Sequence, residues 1–406
     1  MTPESLIDRR EYAALSGCTY LNQASLGLIP RVSLEASTRF LTEVAQHGNL
    51  RFSDQAEAEI LDSLRAAAAG LLGAPEGSIA VVGGASEGLG QVAAMLSTQG
   101  GEVVLVGGDF PSVTWPWLAA HERSGMRIRW VREAAGEDLT QSLIDAVGHQ
   151  TTVVCISAVQ YSTGTRIDVP ALVARARTVG ARVVVDVTQM AGAEPVTMQS
   201  WGIDALVCSG YKWLSAPGGV ALLALSDELV ATVPPIVGWK GSATPFDFTP
   251  RVLSLARDAR RFELSTLSYS AAAGLLASIR LLTEKGLDSV RAHAERLAAN
   301  VVARTAPVGW APYRPLTDPS ASGHIVSLRH PTAVAEEVQA QLAEEHRIIS
   351  SSRGGGIRVS LHAYNCAEDV RALAQALESA GRDGRPRRQA PGPAPARGKH
   401  GPGQMY

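Results

Sequence analysis

Between about Ala56 and Leu225, short apolar runs alternate with segments in which apolar residues recur every three to four positions. SIAVVGG, GEVVLVGG, MRIRWV, TTVVCISAV, ARVVVDV and DALVCSG read as short buried strands, because near-continuous aliphatic and β-branched runs suit strands covered on both faces. The stretches around LGQVAAMLS, LTQSLIDAV and VPALVARARTVG read as helices between them. This alternation predicts an α/β fold with a mostly parallel sheet. After Thr266 the pattern changes. A long helix is predicted from Tyr269 to about Glu284 and another near Leu287 to Thr305. HIVSLRH follows, then a helix from Thr332 to Glu345, RIISSS, GIRVSL and a last helix from Ala367 to Ser379. That order predicts a smaller C-terminal α+β unit. The expected organisation is an N-terminal segment 1–35 packing near the functional site, a large domain 36–266, a small domain 267–380 and a tail 381–406.

Composition changes this picture little. The 406 residues are 46% hydrophobic and 19% charged, enough for a large core in two domains. Apolar stretches such as GGVALLAL fall far short of the ~18 residues a membrane span needs, and MTPESLIDRREY lacks a secretory apolar core. The expectation is a cytoplasmic protein without membrane attachment. The formal charge of −2 is uneven, because the Pro- and Gly-rich tail holds six of the 37 Lys/Arg and one of the 39 Asp/Glu. Such a tail cannot build a core and is expected to be a disordered extension, not a nucleic-acid arm. Cys18, Cys155, Cys208 and Cys366 lie far apart without metal or disulfide spacing, and Cys155 and Cys208 sit in apolar strands, as buried thiols do. No metal site is expected.

In parallel sheets ligands bind beyond the carboxyl ends of the strands, so the residues following each strand carry the chemistry. After SIAVV comes Gly83-Gly84-Ala85-Ser86-Glu87-Gly88, where glycines allow close backbone approach and a helix start aims N–H groups at an anion. The following Gly88-Leu89-Gly90-Gln91-Val92-Ala93 also fits a dinucleotide fingerprint, with Asp109 placed for a ribose contact, so a Rossmann oxidoreductase is a remote alternative. Two later strands argue against it. ARVVVDV ends in Asp186, with Gln189 just beyond, and DALVCSG runs into Tyr211-Lys212-Trp213. A carboxylate can hold a pyridine nitrogen protonated, and a lysine straight after a buried strand is desolvated and less basic. Together they are the pair that pyridoxal 5′-phosphate requires.

VVVDVTQMAG followed by DALVCSGYKWLSAPGGVALLAL resembles the class V aminotransferase family of fold-type-I PLP enzymes, which includes cysteine desulfurases, selenocysteine lyases, kynureninases and isopenicillin-N-epimerase-like proteins. YLNQASLGLIP, GGASEG, GDFPSVTWPW, SAVQYSTGTRIDV, RRFELST and GGGIRVSLHAYNCAEDV extend the resemblance, in the family's order, over about Tyr20 to Leu377. It implies a seven-stranded sheet and a homodimer with shared sites. Lys212 would carry the cofactor as a Schiff base, Asp186 would pair with the ring nitrogen, and Gln189 would bond the ring oxygen. Ala85, Ser86 and Ser209 would hold the phosphate, with Thr266 reaching the phosphate of the neighbouring subunit. Phe110 and Gln160 complete the expected cofactor contacts. Arg358 would bind the substrate α-carboxylate, with Asn22, Tyr161 and Trp239 as further substrate residues.

Departures from the pattern narrow the chemistry. Phe110 stands where desulfurases have a histidine over the ring, so it stacks but moves no proton. Tyr161 replaces the usual asparagine and Tyr211 the usual histidine, and the pattern leaves their roles open. The loop that carries the persulfide cysteine in desulfurases reads IISSSRGGG. What remains is chemistry at Cα, with Lys212 as the base. The first expectation is a C–S lyase that eliminates a thiol from a cysteine S-conjugate in small-molecule or natural-product biosynthesis. Transamination, epimerisation and decarboxylation-coupled deamination are the alternatives. Trp115, Trp239, Lys240, Phe246 and Arg353 are candidate pocket residues.

Overall fold

The computed structural model describes residues 4–382. A two-residue strand, β1 (Thr19–Tyr20), leads into the N-terminal part of the chain. The large sheet then uses β2 (Ile79–Val82), β3 (Glu102–Val106), β4 (Arg127–Val131), β5 (Thr151–Ser157), β6 (Arg182–Asp186), β7 (Ala205–Ser209) and β8 (Ala221–Leu225), in the order β2-β8-β7-β6-β5-β3-β4. Strands β3 to β7 pair in parallel, and β8 is antiparallel to both β7 and β2. This leaves β2 pointing the same way as β7. The carboxyl ends of β2, β3, β5, β6 and β7 therefore open on one edge of the sheet.

Alternation along the strands feeds two apolar layers. Val154, Ile156, Leu206 and Cys208 belong to one core, while Val153, Cys155, Ala205 and Val207 belong to the other. Helices cover both faces, so β5 to β8 are apolar almost without interruption. MRIRWV differs from the expected buried strand: β4 is the sheet edge, with Arg127, Arg129 and Trp130 largely outside. Arg129 pairs there with Glu102 at 2.7 Å, and charged side chains on an edge discourage further strand pairing. GGVALLAL supplies β8. Helices Arg31–His47, Asp54–Leu72 and Pro111–Ser124 also form, beyond those read from periodicity.

The C-terminal part contains β9 (Ala311–Pro312), β10 (Ile325–Arg329), β11 (Ile348–Ile349), β12 (Ser351–Arg353) and β13 (Gly356–Ser360). Four of these form an antiparallel sheet, β12-β13-β10-β9, while β11 pairs in parallel with β1. Val326, Leu328, Ile357 and Val359 face a third core shared with helices Leu287–Thr305, Ala335–His346 and Ala367–Arg382. The helix expected from Thr332 starts at Ala335, because the His330 ring nitrogen accepts the N–H groups of Thr332 and Ala333 in a local turn. Of the tail 381–406, residues 381 and 382 end the last helix and the remainder lies outside the described residues. No described helix is long and apolar enough to cross a membrane.

Candidate active site

Asp186 is the last residue of β6 and is buried, accepting the Thr188 N–H at 2.7 Å. Burial pushes its carboxyl pKa up, while the Thr188 hydrogen bonds and the charge of Lys212 pull it back. Lys212 follows β7 and is only 7% exposed. Its Nζ lies 4.9 Å from the centre of the Phe110 ring and 5.7 Å from that of Tyr211. Burial lowers its pKa to about 8; Asp186 opposes the shift, and the fields of Arg358 and Arg353 add to it. The amine is thus far closer to its neutral, nucleophilic form at neutral pH than an exposed lysine.

These groups line a cavity of about 160 Å³ with Gly83, Gly84, Ala85, Ser86, Phe110, Tyr161, Gln189 and Ser209. The helix Ala85–Leu96 begins there. Its cap, Gly84, has no side chain to bond the first-turn N–H groups; that of Glu87 turns back to the Gly84 carbonyl at 3.1 Å, while Ala85 and Ser86 line the cavity, with the Ser86 hydroxyl 2.7 Å from that of Ser112. Phe110 packs edge-on to Tyr161, ring centres 5.4 Å apart. Gln189 lines the cavity, but its amide is engaged, donating to the Ala24 carbonyl at 3.1 Å and accepting from the Trp213 indole at 2.8 Å. An open helix start, a buried carboxylate, an aromatic ring and a desolvated lysine around one cavity fit pyridoxal 5′-phosphate.

Arg358 sits beside this cavity on β13, 1% exposed. Its guanidinium donates to the Tyr161 carbonyl at 2.7 Å, to Asn22 Oδ1 at 3.3 Å and to the Ser25 hydroxyl. Its Nε has no partner, and among the described residues no carboxylate pairs with it. Burial lowers its pKa to about 10, with Arg353 adding to the effect. A buried cation without a counter-ion is a ready anion site.

Other expected residues fall elsewhere. Gln160 is fully buried behind the cavity, donating to Asp109 and to the Ser157 carbonyl, both at 3.3 Å. Thr266 is exposed on the loop before helix Tyr269–Lys285. Trp239 lies outside the cavity with Phe246 and Phe248, ring centres 6.0 and 5.9 Å away. Lys240 sits over Trp239 and Phe246 and pairs with Glu57, and Trp115 is 65% exposed. Cys155 and Cys208 are buried in their strands. The dinucleotide reading fails on local geometry: Gly88 and Gly90 lie inside the helix begun at Ala85, not in a turn before it. Asp109 is buried, accepting from the Ser157 N–H and hydroxyl at 2.7 and 2.6 Å. Periodicity missed Gln23, whose buried amide donates to the Lys212 carbonyl and the Ser215 hydroxyl, each at 2.8 Å, and accepts from Tyr364 at 2.9 Å. It also missed Thr188, whose hydroxyl accepts the Ser209 N–H at 3.0 Å. Only their place in strand-end motifs pointed to either.

Fold and site define a pyridoxal 5′-phosphate enzyme of the lyase or transferase type. The chain belongs to the aminotransferase class-V family, whose profile matches residues 19–373. It is similar to the kynureninase of Deinococcus radiodurans, 31% identical over 349 residues, covering 83% of each chain. Isopenicillin N epimerase of Amycolatopsis lactamdurans is 26% identical over 404 residues, covering 93% of this chain and 99% of the epimerase. Among solved structures, C-DES with glycine covalently linked to its PLP cofactor superposes with a TM-score of 0.81 at 24% identity, covering 92% of this chain and 99% of that one. At that identity the likeness speaks to fold.

Proposed function

We propose that this enzyme acts at Cα of an amino acid and cleaves a C–S bond by β-elimination from a cysteine S-conjugate, as a step in small-molecule biosynthesis. The observation that carries the reading is Arg358, a buried guanidinium with hydrogen-bonding capacity left over and no protein carboxylate. It is suited to a substrate α-carboxylate, which would fix Cα relative to Lys212. When bound, pyridoxal phosphate supplies an electron sink for charge developing at Cα. Lys212, Asp186, Phe110, Ser86 and Ser209 are the residues that would hold it, with the helix start at Ala85 toward its phosphate. Lys212 Nζ, freed by the substrate amine, is placed to take the Cα proton, and its lowered pKa suits a base at neutral pH. Phe110 offers a stacking face and no proton, so on its side of the cavity proton transfer falls to other groups, of which Lys212 is the desolvated amine.

In the net reaction the conjugate and one water give a thiol, pyruvate and ammonium, with the sulfur leaving Cβ as the Cα proton is lost. No cysteine lines the cavity, which favours elimination over sulfur transfer through a protein persulfide. The solved neighbour C-DES is described as a cystine C-S lyase, which accords with the reading. We further propose domains at 36–266 and 267–380, an N-terminal segment 1–35 completing the site, and a cytoplasmic homodimer. Exposed Val233, Ile236, Phe248, Val252 and Leu253, on the loops preceding exposed Thr266, support a second copy covering this region. Incubating the purified enzyme with cysteine S-conjugates tests the reaction. Pyruvate and ammonia released without a keto-acid acceptor are expected, and a strict acceptor requirement would turn the reading to transamination.

A further inference from the structure

Resting on the reading of Arg358 as the α-carboxylate site, a second cation next to it bears on substrate class. In the sheet β12-β13-β10-β9, residues alternate between a face packed on the C-terminal core and a polar face turned to the Asn22–Ser25 segment. Ile357, Val359, Val326 and Leu328 take the first face. Arg358 takes the second, and its cross-strand partner Ser351, whose hydroxyl reaches Asn22 and Ser25, lies on it as well. Two residues further along the same strand and on the same face stands Arg353, paired with Gly356. Opposite a glycine it meets no cross-strand side chain, and the Gly354-Gly355 turn, with both φ values positive, fixes the hairpin that carries it.

Arg353 is exposed, and its one hydrogen bond runs to the carbonyl of its own neighbour, Ser352, at 2.7 Å. Among the described residues it has no ion-pair partner. The strand register puts it on the same face of the hairpin as Arg358, and its charge is felt at both Arg358 and Lys212, whose pKa values it helps to lower. Asp186 counters that field at Lys212. With Arg358 facing a carboxylate, Arg353 remains beside it on the same face as a cation without an ion-pair partner among the described residues. Two residues of strand set it roughly 7 Å along from Arg358. That offset suits an anion several atoms beyond Cβ.

We infer that Arg353 is a specificity-determining residue that binds a carboxylate on the substrate side chain, so the preferred substrates are amino acids with a distal acidic group. Two measurements on the holoenzyme test this. In the first, the visible absorbance change on binding L-2-aminoadipate is compared with that on binding L-norleucine, which reads affinity without turnover. In the second, pyruvate release from S-(2-carboxyethyl)-L-cysteine is compared with that from S-propyl-L-cysteine. The wild type is expected to favour the acidic member of each pair at least ~10-fold, about 1.4 kcal/mol. Arg353→Gln should bring the ratio close to one, and Arg353→Lys, which keeps the charge and loses the fork, should fall between. Equal affinity for the acidic and neutral ligands in the wild type, or an unchanged ratio in Arg353→Gln, overturns the inference. An acidic preference in binding without pyruvate in the second assay would leave the subsite standing and remove the lyase reading. Pyruvate released equally from both conjugates would do the reverse.

Discussion

Replacing Arg358 by glutamine should separate function from stability. Burial has brought the guanidinium pKa from 12.5 to about 10. Because the folded value lies below the unfolded one, the charge opposes folding at every pH below about 10, and the effect fades only toward the unfolded value. At about 1.4 kcal/mol per pH unit this is a cost of about 3 kcal/mol at neutral pH. Against it stand four donated hydrogen bonds, to the Tyr161 carbonyl, Asn22, Ser25 and, at 3.5 Å, Ser351, each contributing on the order of 1 kcal/mol or less. The two sides nearly cancel, so Arg358→Gln should change the unfolding free energy by no more than about 2 kcal/mol. Activity should respond quite differently. Losing a two-pronged, charge-assisted contact to the α-carboxylate removes roughly 3–4 kcal/mol of binding, a fall of two to three orders of magnitude in kcat/KM. The assay compares an S-conjugate of cysteine with the matching S-conjugate of cysteamine, which lacks the carboxylate. The wild type should discriminate strongly and Arg358→Gln hardly at all. A variant that still discriminates, or one that unfolds in proportion to its lost activity, refutes the reasoning.

Lys212→Ala should abolish turnover and the imine absorbance while leaving the protein folded, as near-ultraviolet circular dichroism can check. In the cofactor-free protein, burial lowers the Lys212 pKa to about 8 against 10.5 when unfolded, so stability should rise with pH between those values. Chemical denaturation across that window should show the slope in the wild type and lose it in Lys212→Ala. Gly27→Ala would put a Cβ 2.2 Å from the Lys212 carbonyl oxygen and 2.9 Å from that of Tyr211. It should destabilise by about 1–3 kcal/mol and weaken cofactor retention, measurable by dialysis and absorbance. Glu263, 2% exposed, accepts from Arg65 at 2.9 and 2.8 Å and from the Val81 N–H at 2.9 Å. Glu263→Ala leaves the buried Arg65 with exposed Asp62 as its remaining carboxylate and the Val81 N–H without its acceptor, and should cost roughly 2–4 kcal/mol in urea unfolding.

Much of the site was legible because parallel strands deliver chemistry at their carboxyl ends. Asp186 and Lys212 each come at or just after the end of an apolar strand run, so strand, end and candidate residue could be read together. The C-terminal helices were legible for a similar reason, since their apolar spacing is local. Pairing between distant strands was not. Nothing near Ala221–Leu225 announces that β8 inserts antiparallel between β2 and β7. MRIRWV looked like its neighbours, and only the strand order makes β4 an edge. Gln160 shares a motif with Tyr161 but turns away from the cavity toward Asp109, a choice set by the turn and not by the residue type. Trp239 is aromatic and near Thr266 in sequence, yet its contacts are with Phe246, Phe248 and Lys240.

The residues around Asn22–Gly27 show why the hidden part of the site matters for its chemistry. Asn22 and Ser25 accept hydrogen bonds from Arg358, Gln23 donates to the Lys212 carbonyl, the Ala24 carbonyl accepts from Gln189, and the Gly27 N–H donates to the Tyr211 carbonyl. The same stretch is joined to the C-terminal part through the Leu21 carbonyl, which accepts the Ser360 N–H at 2.8 Å, and through Ser360, whose hydroxyl accepts the Ala24 N–H at 3.2 Å. One short turn-forming segment is therefore bonded both to the group assigned to the α-carboxylate and to the backbone that carries the amine. The proposed elimination requires the Cα proton, fixed by the carboxylate, to lie within reach of that amine, so on that proposal the distance between Arg358 and Lys212 sets the reaction geometry. The two sit on elements of different sheets, and direct bonds from this segment hold them in register. A change here can thus alter rate without touching the substrate.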